Sequence, residues 1–149
     1  MKTYFKQLFE YDIWASRRIF DLLEKQFPQN QRIYELFSHL LSAQRVWLDR
    51  CLGLPQTEAV WRSRLPEQIK HDIESYHTDW VTYIDQLQPD DFDRIISYTN
   101  SKGDPFNNRL IDIFIHVTNH GTHHRGELLI LMKEEGFVLP NIDYITYVR

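Results

Sequence analysis

Four of the chain's seven histidines fall within nine residues, HVTNHGTHH from His116 to His124. Neutral imidazole carries a nitrogen lone pair and is a common ligand for borderline divalent ions. Residues four apart on a helix stand one turn apart, with Cβ atoms about 5–6 Å from each other, so His120 and His124 could converge on one ion; the H-E-x-x-H zinc motif uses this spacing. With about 100° per residue and His116 at zero, His120 falls at about 40°, His124 at about 80° and His123 at about −20°. The apolar residues Leu110, Ile113, Phe114, Val117, Leu128, Leu131 and Met132 span roughly 60° to 160° on the same wheel. His124 is therefore expected in the buried face and His120 at its near edge, with His116 and His123 turned toward solvent. Buried imidazoles are costly unless their ring nitrogens are satisfied, which a metal and outer acceptors would achieve. The competing reading is of core or rim histidines with ordinary hydrogen-bond partners.

Catalytic zinc typically takes three protein ligands and keeps an open position, so a third donor is needed. His39, among Leu36, Leu40 and Ala43 at the shoulder of an apolar stripe, is the better candidate. His71 and His77 share a charged, solvated-looking segment with Lys70, Asp72, Glu74 and Asp79. Glu127, at about 20° on the wheel, could touch the ion or its water, or simply stand exposed. Cys51, one turn beyond Trp47, reads as a buried structural thiol. Asp12, beside Tyr11 and Trp14, could support the site or be solvated. No Ser–His–Asp or Cys–His arrangement offers another catalytic route.

Helical periodicity predicts the elements that must carry these residues. A first helix runs from Thr3 to Phe27, on Phe5, Leu8, Phe9, Ile13, Ile19, Phe20 and Leu23, and PQNQ breaks it. A second runs from Arg32 to Leu52, stopped by Gly53 and Pro55. A polar connection passes through Trp61 to Pro66, which suits the first turn of a third helix ending near Leu87. Between Phe92 and Asn108 the pattern changes to a short hairpin or extended crossover around Gly103 and Pro105. A fourth helix runs from Asn108 to Glu135 with Gly136 as its stop, and the tail VLPNIDYITYVR is expected as an extended strap. The fold class is all-α, a four-helix bundle.

At 149 residues, with 42% hydrophobic and 14% aromatic residues, the chain has the size and composition of one globular domain, residues 1–149. A net charge of −4 with 17 scattered Lys and Arg gives no basic footprint for nucleic acid. The single cysteine excludes an intrachain disulfide. Neither a signal peptide nor an apolar run of the ~20 residues that span a bilayer is evident, so the expectation is a soluble cytoplasmic protein with no membrane partner.

The stretch HVTNHGTHHRGEL, His116 to Leu128, resembles the signature of the DinB family: a histidine, three residues, then His-Arg-Gly and usually Gln. YDIWASRRI from Tyr11, HLLSAQRVWLDR from His39 and IDYITYVR from Ile142 support the resemblance in the expected order. It implies a four-helix bundle with a long crossover between the second and third helices, commonly dimeric, so a homodimer is expected. It also implies a three-histidine metal site, which carries over to His39, His120 and His124. Glu127 departs from the family's usual Gln. Zinc or nickel is the expected ion. Some relatives are thiol-dependent transferases using a low-molecular-weight thiol, which implies a metal-dependent transferase or hydrolase acting on a small molecule. The alternative is a non-catalytic, stress-associated metal-binding dimer.

Overall fold

Phe5, Phe9, Ile13, Ile19, Phe20 and Leu23 are buried at helical spacing and turn one face of α1 (Lys2–Lys25) inward. The computed structural model describes residues 1–149. In α2 (Gln31–Leu52), the side chain of Asn30 accepts a hydrogen bond from the Arg32 amide at 2.9 Å, and Gly53 ends the helix at φ +67°. That left-handed conformation is one glycine adopts without a Cβ penalty. Pro66 opens α3 (Pro66–Gln86), and the Gln68 side chain accepts from the Leu65 amide at 2.9 Å. A 3-10 turn, Pro89–Asp93, buries Phe92 and leads into an antiparallel hairpin, β1 (Ile95–Thr99) and β2 (Pro105–Arg109), with Ser97 opposite Asn107. Then come α4 (Leu110–Glu134) and a one-turn helix, α5 (Tyr144–Tyr147), in an otherwise extended tail.

The all-α reading therefore holds, with the hairpin as the excursion before α4, while the tail's short helix was not anticipated. α1 packs against α3 and α4, and α2 packs against the same two helices, so α1 and α2 stand diagonally. Cross-helix pairs fix the directions. Lys6–Asp85 and Arg17–Glu74 make α1 and α3 antiparallel. Arg45–Asp79 and the bond from the Tyr83 hydroxyl to the Cys51 carbonyl make α2 and α3 parallel. A parallel pair needs a connection that returns the full length of the helix. The 22 residues of α2 span about 33 Å, and residues 53–65 can reach roughly 40 Å when extended. This crossover retraces α2: Thr57 bonds Asp49, Glu58 bonds Ser42, and Val60 lies at His39.

Two apolar clusters fill the bundle, one around Ile19, Phe37, Ile69 and Met132, the other around Phe9, Leu48, Trp80 and Phe114. Between them lies a polar layer in which Asp12 pairs with Arg125 and accepts from Gln44 at 2.5 Å. All three are buried. Gly121 is required beside this pair, because a Cβ there would collide with the Asp12 carboxylate. Asp12 thus belongs to the bundle's interior electrostatics. No helix is long and apolar enough to cross a membrane.

Candidate metal centre

At mid-bundle α2 and α4 run antiparallel, bringing His39 opposite the turn that carries His120 and His124. One ring nitrogen of each lies within 4.8 Å of the other two. His120 Nε2 and His124 Nε2 approach to 3.1 Å. Two imidazoles bound tetrahedrally to zinc at 2.0–2.1 Å would separate their nitrogens by about 3.3 Å, so the pair is nearly spaced for one ion. His39 is buried, and His120 and His124 are half-buried.

Two of the three outer nitrogens are engaged. His39 Nδ1 donates to the Val60 carbonyl at 3.0 Å, and His124 Nδ1 donates to Glu127 Oε2 at 2.6 Å. Each bond selects the tautomer that leaves a lone pair on Nε2. Trp61, the residue after Val60, lies flat on His39 with centroids 3.9 Å apart and planes 12° apart, and the Arg32 guanidinium stacks 4.8 Å above its ring. Burial, followed by repulsion from the His124 and His39 rings, pushes His120 down to about 3. Burial also lowers His39 against the opposing effect of its Val60 bond. Both rings are therefore neutral, as ligands must be. The donor set, three imidazoles with two oriented from behind, fits a borderline divalent ion.

Of the other candidates, His116 packs against Trp47 at 4.9 Å and against His120 at 5.6 Å, outside the converging trio. His123 is exposed and reaches Glu127 Oε1 at 3.4 Å. His71 is exposed and His77 is half-buried, both away from the trio. Cys51 is buried, and burial raises its thiol to about 12, so it is inert. Glu127 meets His124 on the nitrogen facing away from the trio. Asp72 is not solvated as its charged neighbours suggested: it is buried against Arg64, which also pairs with Glu58.

Sequence reasoning missed the crossover's part in the site. A backbone acceptor such as Val60 leaves no residue-type signal. Trp61, an exposed aromatic in a polar loop, was the available clue. A profile of the DinB family matches residues 1–149. The chain belongs to the DinB family. Protein DinB of Bacillus subtilis (strain 168) is 25% identical over 169 aligned positions, covering 99% of this chain and 95% of the relative. The crystal structure of a DinB-like protein from Bacillus cereus ATCC 10987 superposes with a TM-score of 0.73 at 19% identity, over 92% of this chain and 94% of that one. That likeness is one of fold, and it matches the DinB bundle described above.

Proposed function

We propose that this DinB-family protein is a metal-dependent enzyme whose single divalent ion is held by His39, His120 and His124. Zinc or nickel suits the ligands best. The observation that carries the reading is the convergence of three imidazoles, two of them fixed from behind by the Val60 carbonyl and Glu127. Because Glu127 is engaged on the far nitrogen of His124, it does not serve as a fourth ligand. That supports an open coordination position over the closed site of a non-catalytic metal-binding bundle. When bound, a divalent ion supplies Lewis acidity that lowers the pKa of a water or thiol in that position. The chain's own residues orient the ligands, and the Trp61 indole shields one face of His39 from solvent.

Transfer of a low-molecular-weight thiol to a small electrophile is favoured over hydrolysis, on the family resemblance. The same resemblance implies a homodimer, and the single cysteine is consistent with a reducing cytoplasm. An apolar groove between α1 and α4, lined by Tyr4, Leu8, Ile111 and Ile115, gives a second copy a surface to bury. Elemental analysis after zinc or nickel loading is expected to find about one ion per chain. His39→Ala, His120→Ala and His124→Ala should each abolish uptake, while His116→Ala retains it. Equal loss in all four variants, or no uptake by the parent chain, would refute the assignment. A thiol panel assayed with a generic electrophile then tests turnover, which must vanish in His39→Ala. Light scattering at the monomer mass would remove the dimer.

A further inference from the structure

Four arginines are withdrawn from solvent: Arg45, Arg50, Arg64 and Arg125. Three of them pair with carboxylates: Arg45 with Asp49 and Asp79, Arg64 with Glu58 and Asp72, and Arg125 with Asp12. Arg50 has no carboxylate partner. Its guanidinium carbon instead lies 4.5 Å from the centroid of Trp47 and 4.6 Å from that of Tyr98, and one Nη donates to the Thr99 carbonyl at 3.3 Å. Burial presses its pKa downward. Most of the N–H fork of this half-buried cation is free of protein partners, and a planar anion could replace its water with paired bonds.

The surroundings fit such a ligand. Arg50 borders a groove of ≈ 510 Å³ between the end of α2 and the hairpin. Gln56, Ser97, Asn100 and Asn107 supply neutral hydrogen-bonding groups there, and no acidic residue lines it. On the other side of Arg50 a row of neighbouring rings leads back to the histidines. Trp47 packs on His116 at 4.9 Å, and His116 on His120 at 5.6 Å. From His39 to Trp47, under the Arg50 guanidinium, is eight residues of α2, about 12 Å at 1.5 Å per residue.

We infer that Arg50 anchors the carboxylate of a small substrate whose other end reaches the three-histidine site, with Trp47 and His116 in the row of rings between them. The guanidinium fork matches a planar carboxylate, and the two aromatic rings hold it in place before the ligand arrives. Specificity for a carboxylate follows from the two parallel bonds the fork can make to the two oxygens of one anion. The inference rests on the proposed metal site at one end and adds the substrate class at the other.

A matched pair of probes tests it. Suberic acid monohydroxamate and octanohydroxamate share a metal-binding head and chain length, and only the first ends in a carboxylate. Each is titrated into cobalt-loaded protein and followed by the cobalt visible spectrum. The parent chain should bind the carboxylate probe about tenfold or more tightly, the value of a hydrogen bond to a charged group. Arg50→Gln should bring both probes to the octanohydroxamate affinity, and Arg50→Lys should keep part of the difference. Unchanged octanohydroxamate binding in Arg50→Gln shows that the variant is folded with its metal site intact. Equal binding of both probes by the parent chain, or a preference that survives Arg50→Gln, overturns the anchor while leaving the metal site standing. Failure to take up cobalt overturns both.

Discussion

The bond from His124 Nδ1 to Glu127 predicts how a residue that is not a ligand controls metal affinity. At 2.6 Å, with the carboxylate held below its usual range first by the His124 hydrogen bond, Glu127 fixes the ring so that Nε2 faces His120 and His39. Outer partners of metal-bound histidines typically contribute ten- to hundredfold in affinity. Glu127 belongs at the low end, because its side chain is 45% exposed and water screens its charge. Glu127→Ala should therefore weaken zinc binding by about tenfold, roughly 1.4 kcal/mol. Glu127→Gln keeps an acceptor and loses only the charge, so its affinity should fall between the parent and the alanine variant. The assay is competition for zinc against a chromophoric chelator at neutral pH. Unchanged affinity in Glu127→Ala would refute the orienting role. A loss as complete as that of His124→Ala would refute it differently, by making Glu127 a ligand.

Gly121→Ala, which drives a methyl into the buried Asp12 carboxylate, should cost about 1–3 kcal/mol in urea unfolding. Gly126→Ala, where a Cβ meets nothing, should instead stabilise the helix by about 0.5–1 kcal/mol; equal effects would contradict the packing argument. Burial works to raise Glu58, but hydrogen bonds from Ser42 and Tyr76 and the charge of Arg64 hold it below the ordinary range. Its contribution is then present above the unfolded-state value of about 4.3 and is lost as pH falls through the lower folded value. Glu58→Gln should flatten the acid limb of the stability profile, and an unchanged limb would show that Glu58 is uninvolved. Trp61→Ala removes the ring stacked on His39 and should weaken metal binding by about two- to tenfold, the worth of an aromatic pair; Trp61→Phe should restore most of it.

The helices were legible because each buries a continuous apolar stripe, and their breaks at PQNQ, Gly53 and Pro66 carry local chemistry that does not depend on tertiary context. The His120–His124 pair was legible for the same reason: spacing along one helix fixes which side chains share a face. His39 was less so, since its placement depends on how α2 meets α4. Asp12 and Asp72 defied their surroundings in the sequence, because a charge is buried only when a distant partner reaches it, and Arg125 and Arg64 come from other segments. The Val60 carbonyl was invisible to any argument from residue type.

The crossover links fold to site. Because α2 and α3 are parallel, the chain must return along α2 before α3 can begin, and that return passes over the level of His39. The connection demanded by topology thus also carries the acceptor that sets the tautomer of His39 and the indole that covers it. Its course is pinned on both sides of Val60: Asp49 takes Thr57, and Arg64 is locked to Glu58, Asp72 and the Ser38 carbonyl. Removing one partner from such a buried charged network costs about 3–5 kcal/mol, so the crossover has little freedom to shift. The orientation of His39 on α2 is therefore secured by a salt-bridged loop as much as by helix packing, and damage to the Arg64 network should reach His39 through Val60 although no residue of that network belongs to the histidine trio.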